Sequence, residues 1–308
     1  QNIPHYEAIN NRFYKALLAS PYRKELEGAW GSQLFVLAEL SLKTFKPEIL
    51  EDMQEENRLS SEYTKLKAAA KIEFQGEEYN LSSIHPMETH ADRTTRKAAA
   101  ETKWGFFDEN AEKIEDIFHQ LVQKRHTMAQ KLGYENYIEL GYARMKRSDY
   151  TPEMVANFRK QIQDYIVPIT TELYQRQVKR LGLETLMYYD EDFRFASSNP
   201  APQGEADWII DQATKMYEEL SRDTAEFFHF MQDNNLMNLV AQDGKATGGY
   251  CTFIGKYKAP YIFSNFNGTS ADIDVLTHEA GHAFQVYSSR NIGLNEYQWP
   301  TYEACEIH

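Results

Sequence analysis

Cysteine is nearly missing from this chain. Only Cys251 and Cys305 occur among 308 residues, too few for a disulfide framework and at a separation that fits no zinc-finger spacing. Reduced thiols in a cytosolic protein are the simplest reading, so the expected location is cytoplasmic. Long apolar runs are missing as well. No stretch approaches ~18 consecutive apolar residues, so no transmembrane helix is expected. The opening residues, QNIPHYEAINNRFYKALLAS, carry no charged n-region, apolar h-region and small-residue cleavage site in succession, and no secretory signal is read there. Basic residues are in deficit: 33 Lys and Arg stand against 46 Asp and Glu, a net charge of −13. Nucleic acid and anionic membrane are therefore excluded as expected partners, since both require basic surface. Basic peptides would be drawn to such a chain. The charge says nothing of oligomeric state.

What the chain does have is aromatic bulk and helical periodicity. Its 20 Tyr and 17 Phe offer large areas to bury with specific geometry. Residues 111–132 place Ile114, Ile117, Phe118, Leu121, Val122, Met128 and Leu132 on one stripe of 3.6 period, and Gly133 follows as a C-terminal stop. Thr151 and Pro152 pair an N-cap with an N1 proline. They open a long helix in which Val155, Phe158, Ile162, Tyr165, Ile166, Ile169 and Leu173 share a face and Pro168 introduces a kink. A further amphipathic helix runs from about Trp208 to Leu220. Two segments break the pattern. KIEFQGEEYNLSSI (71–84) alternates around Gly76, and YCTFIGKYKAPYIFSNF (250–266) reads as an aromatic β-hairpin. The turn-rich DEDFRFASSNPAPQG (190–204) is the expected domain boundary or ordered long loop. The architecture expected is mainly α, with a small antiparallel sheet beside the helix that follows the second hairpin.

That helix holds HEAGHAF, residues 278–284. Thr269 with Asp272 three residues on matches a capping box, which starts the helix near Ser270. Four residues turn a helix by about 400° and raise it by about 6 Å. His278 and His282 therefore project from one face and can share one tetrahedral zinc. Glu279, rotated by about 100° from His278, is aimed at a water rather than at the metal. There it can act as general base and then pass the proton to a leaving amine. Gly281 leaves room for a neighbouring element. Chance alone produces such a spacing in roughly 2–3 of 100 chains of this composition; the capped helix behind an aromatic hairpin is what lifts it above chance.

Two histidines need a third ligand, and zinc hydrolases of this kind add a carboxylate and keep a fourth position for water. Glu303 and Glu306 in WPTYEACEIH are the candidates, sharing a face at i, i+3 behind Pro300 as the first helical residue. His308 is a weaker option. The other histidines (5, 85, 90, 119, 126 and 229) show no ligand spacing and read as structural or surface groups. The hairpin offers an extended edge strand that can pair with the main chain of a peptide, with Tyr261, Phe263 and Ser264 as candidate substrate-binding residues.

With these residues in place the chain resembles the oligoendopeptidase F branch of the thimet-oligopeptidase family of zinc metallopeptidases. The likeness lies in GGYCTF (248–253), APYIFSNFNGTSADIDVLTHEAGHAF (259–284) and EACEIH (303–308). DRTTRKAAAETKW (92–104) and VQKRHTMAQKLGYENYIELGYARM (122–145) match more weakly. The resemblance implies a helical two-lobed fold around a deep substrate channel, with one Zn2+ per chain on its floor. It implies a helical N-terminal lobe over 1–190 and the first part of the zinc catalytic domain over 205–308. It further implies cleavage of internal bonds in short, unstructured peptides. By the same resemblance His278 and His282 are zinc ligands, Glu279 is the catalytic glutamate, and Glu306 is the third ligand, with Glu303 behind it.

One departure from the family is length. Its members are about twice as long, and the His and Tyr groups thought to steady the oxyanion lie beyond the equivalent of Glu306. The expectation is a chain trimmed at both ends whose 308 residues alone bind zinc weakly and hydrolyse peptides poorly. Two other functions fit less of the pattern. A carboxypeptidase or dipeptidase of the same HExGH clan requires a cationic group to capture a substrate C-terminus. A non-catalytic zinc- or peptide-binding protein would close its metal site with four protein ligands, typically including Cys.

Overall fold

In the computed structural model, which describes residues 3–307, the chain divides into two units, neither continuous in sequence. The first takes in residues 1–63, 112–156 and 294–307, and the second residues 64–111 and 157–293. The chain is mainly helical, as its periodicity predicts.

The first unit is built from α1 (Ile3–Leu18), α2 (Arg23–Trp30), α3 (Gln33–Thr44), most of α4 (Leu50–Ala68), α7 (Ala111–Leu132), α8 (Tyr137–Arg144) and the short α14 (Tyr302–Cys305). Ile49, Met128, Ala129 and Leu140 form its buried centre, with Met53, Leu132, Tyr134 and Tyr137 against them. The predicted stripe of α7 is buried at Ile117 and Met128, while Phe118 and Val122 on its flank are exposed. Gly133 ends the helix at φ 95°, a left-handed residue that only glycine adopts without cost. Charge also joins these helices. Buried Glu56 on α4 accepts from Arg125 Nε of α7 at 2.8 Å and from Arg144 Nη2 of α8 at 2.8 Å. Burial alone would push the Glu56 carboxyl up, but the two guanidinium groups outweigh it and hold the carboxyl below its ordinary range.

The second unit opens with a hairpin of β1 (Ile72–Phe74) and β2 (Glu77–Tyr79), antiparallel and joined by Gln75 and Gly76, both at positive φ. Two such residues make a type I′ turn, whose twist suits a two-residue hairpin. After α5 (His85–Glu88), Asp92 caps α6 (Arg93–Glu109) by accepting from Thr95 N. The long helix predicted from Thr151 is split into α9 (Pro152–Gln161), a π-helical turn at Ile162–Ile166, and α10 (Val167–Leu181). The turn falls just ahead of Pro168, which has no N–H to donate back along the helix. Among the described residues the apolar stripe of this pair is uncovered: Phe158, Tyr165, Ile169 and Leu173 are all exposed. Residues 190–204 form an ordered loop. Asp190, wholly buried, binds Arg93 and Arg96, and Gln177 Nε2 donates to the carbonyls of Asp190, Glu191 and Phe193.

Two further helices, α11 (Ala206–Leu220) and α12 (Arg222–Asp233), lead into β3 (Met237–Val240), β4 (Tyr250–Ile254), β5 (Ala259–Phe266) and α13 (Ala271–Ser289). The strand order is β3-β5-β4, with β4 antiparallel and β3 parallel to β5. The sheet beside the histidine helix is therefore mixed, because a third strand joins the predicted hairpin. Phe227, Phe228, Met231, Ile262, Phe266, Leu276, Ala280 and Ala283 belong to one buried cluster beneath it. Alternation along β5 sends Ile262, Ser264 and Phe266 inward.

Candidate metal centre

One long helix positions the central residues. Leu276, Ala280, Ala283 and Val286 of α13 are buried to within 1 % of complete, so this face is committed to packing. The small side chains at 280 and 283 let the backbone approach closely. The start of α13 differs from the capping box expected. Thr269 Oγ1 donates to Asn267 Oδ1, and the Asp272 carboxylate instead accepts from the backbone N–H groups of Asn267 and Gly268. The carboxylate reaches past Thr269 because Gly268, at φ 86°, folds the preceding turn under the helix. Burial raises the Asp272 carboxyl above its ordinary value despite those two bonds.

Further along, His278 and His282 converge as the i, i+4 spacing requires. Their Nε2 atoms lie 3.1 Å apart, and their rings stand 4.6 Å apart at 86°. Two nitrogens bound to one tetrahedral zinc at ~2.0–2.1 Å are separated by about 3.3 Å, so little movement separates this pair from a chelating geometry. Glu279 is buried and turns toward the start of β4. A Cβ built on Gly249 would stand 3.3 Å from Glu279 Oε1 and 3.0 Å from Val275 Cγ1. Gly249 therefore permits an approach that a side chain would crowd, and no spacing rule in the sequence points to it.

Glu306 belongs to the first unit, where it stands at the end of α14, and His278 and His282 belong to the second. Two imidazole nitrogens converging from one helix face are donors suited to a divalent metal such as zinc, with further positions left to other ligands. His278 is exposed and His282 buried, so the pair is open to water on one side. Within the first unit Glu303 has another partner: its Oε1 accepts from Arg147 Nε at 2.6 Å. Burial pushes the Glu303 carboxyl up, but the Tyr150 hydroxyl and the Arg147 guanidinium outweigh it and hold it below the ordinary range. Pro300 is not the first helical residue, since α14 starts at Tyr302 behind Thr301. His308 lies outside the described residues.

The strand residues separate. Tyr261 and Phe263 share one face of β5 and are half-buried, whereas Ser264 points to the core and is buried. Phe263 stacks on Tyr250 at 4.9 Å, and Lys245 Nζ stands 4.5 Å over its ring. Both sides of β5 are paired, to β3 and to β4. The edge available next to the hairpin is that of β4, not that of the strand carrying the three residues.

Comparison with known proteins adds to this geometry. The profile described as Peptidase family M3 matches residues 86–307, and that of the Peptidase M3 N-terminal domain matches residues 1–45. Among solved structures, a Bacillus anthracis chain assigned as oligoendopeptidase F is 58% identical with a TM-score of 0.97, covering 99% of this chain and 56% of that one. A second chain assigned as oligoendopeptidase F is 53% identical with a TM-score of 0.99, covering 100% and 54%. PZ peptidase A, solved with an inhibitor, is 58% identical with a TM-score of 0.98, covering 100% and 55%. The chain thus spans about half the length of these structures. Among curated proteins no match was found.

Proposed function

Because the chain belongs to peptidase family M3, on its oligoendopeptidase F branch, we propose that it carries the catalytic centre of a zinc-dependent endo-oligopeptidase acting on short, unstructured peptides. The observation that carries this reading is the convergence of His278 and His282 on one face of α13 with Glu279 buried beside them. By likeness to the family, His278, His282 and Glu306 would hold one zinc ion, and Glu303, engaged by Arg147 within the first unit, would not. When bound, zinc supplies Lewis acidity that polarises the scissile carbonyl and lowers the pKa of water. Glu279 takes the proton of the attacking water and returns it to the leaving nitrogen. Its burial keeps the carboxylate in place between α13 and the start of β4. The outer edge of β4 can pair with an extended substrate main chain, with Tyr261 and Phe263 contributing side chains from the neighbouring strand. The scarcity of cysteine, two in 308 residues, supports a cytoplasmic setting. No helix of the described residues is long and apolar enough to cross a membrane.

The test is Glu279→Gln in the intact protein, assayed on quenched fluorescent peptides with products read by mass spectrometry. Zinc content should be retained while turnover falls by about 10²–10⁴-fold, and wild-type products should arise from internal cuts. Stepwise loss of single residues would replace this reading with an exopeptidase. Unchanged turnover in the variant would end it.

A further inference from the structure

Glu306 stands at the C-cap of a helix only four residues long, with no side-chain cap at its start. A helix of that length has no stability of its own in water, so something else must fix its position. Within the first unit the strongest hold is Arg147. Its Nε and Nη2 both reach Glu303 Oε1, at 2.6 Å and 2.5 Å. The guanidinium lies over the Tyr142 ring at 4.2 Å and beside the Tyr150 ring at 5.6 Å, and the Arg147 side chain is only 18% exposed.

The arginine is itself well anchored. Lys146 takes a left-handed turn at φ 55° just after α8, and Arg147 N donates to Tyr142 O. The planar fork of an arginine stacked on an aromatic ring holds direction as well as distance. On the other side Glu306 N donates to Glu303 O at 3.2 Å. A displacement of Glu303 is thereby passed through one backbone bond to the residue three positions on. Metal ligation tolerates errors of only about 0.2 Å, far less than a four-residue helix would drift if released.

We infer that Arg147 is a positioning residue for zinc: by clamping Glu303 it sets α14 so that Glu306 presents its carboxylate to the metal. The inference rests on the zinc reading above and gives Glu303 a role outside the ligand set. Groups that orient a ligand typically change metal affinity by 10–100-fold when removed.

The experiment measures zinc affinity of the intact protein at neutral pH by competition with a chromophoric chelator. Wild type is compared with Arg147→Gln, Arg147→Lys, Glu303→Gln, Glu306→Gln and His282→Ala, with folding followed by circular dichroism. His282→Ala and Glu306→Gln should lose zinc outright. Arg147→Gln and Glu303→Gln should each weaken it by about 10–100-fold, and the double variant should be no weaker than either single one. Arg147→Lys should fall between wild type and Arg147→Gln; if Arg147→Gln does not fold, Arg147→Lys decides alone by binding zinc more weakly than wild type or not. Wild-type affinity in a folded Arg147 variant, with His282→Ala and Glu306→Gln defective, overturns the inference and leaves the zinc reading standing. Complete loss in Glu303→Gln with affinity kept in Glu306→Gln makes Glu303 the ligand and also overturns it. Normal zinc binding in His282→Ala brings down the zinc reading itself.

Discussion

Gly249 acts through the side chain it lacks. An added methyl would stand 3.0 Å from Val275 Cγ1 and 3.3 Å from Glu279 Oε1, so its neighbours would have to yield by a few tenths of an ångström. The more mobile of the two is the carboxylate. Gly249→Ala should therefore lower kcat by about tenfold, since small misplacements of a reacting group are costly, with zinc content unchanged. Steady-state kinetics beside metal analysis checks this, and an unaltered kcat would show that the glutamate position does not depend on this approach. The histidine spacing was readable from the sequence because one helix contains both residues. Gly249 was not readable, because it lies 30 residues before Glu279 and meets it only through the packing of β4 on α13.

Elements are joined here by charge as well as by apolar contact. Glu56 ties α4 to α7 and α8 through Arg125 and Arg144. Glu56→Gln should destabilise the fold by about 1–3 kcal/mol at neutral pH, because two partly buried guanidinium groups lose their charged, buried acceptor. The folded carboxyl titrates below its ordinary value of 4.5. Its contribution is then fully present above pH 4.5 and lost as pH falls through the folded pKa. The gap between wild type and variant in urea titrations should be open at pH 7 and narrow as pH falls below 4.5 through the folded pKa; a gap of constant size would show that the charge contributes nothing. Sequence periodicity locates α7 and α11 because each buries one face, and α13 is placed by its start signal and histidine spacing. Periodicity could not show β3, whose four residues pair in parallel with a strand about 25 residues away and share no turn with it. The residues alone leave Glu303 and Glu306 as alternatives, and only the family resemblance puts Glu306 first. What the fold adds is the pairing of Glu303 with Arg147, 156 residues away, and pairings at that range leave no local pattern.

Summed over these 308 residues, the net charge of −13 sets a long-range field that attracts cations. Peptides with added lysines should show kcat/KM values that fall severalfold as salt is raised, while neutral peptides of equal length change little. Equal salt dependence for both would mean that the field does not reach the route substrates take.

The interleaving of the two units also has a consequence in time. The first unit needs residues 294–307, where Glu296 accepts from the Tyr14 hydroxyl and the Tyr297 hydroxyl bonds Leu34 N and Trp30 O. At ribosomal rates the intervening 157–293 take on the order of ten seconds to emerge. Throughout that interval α1, α2 and α3 wait without their last partners, so helices made well before residues 294–307 are locked only after them.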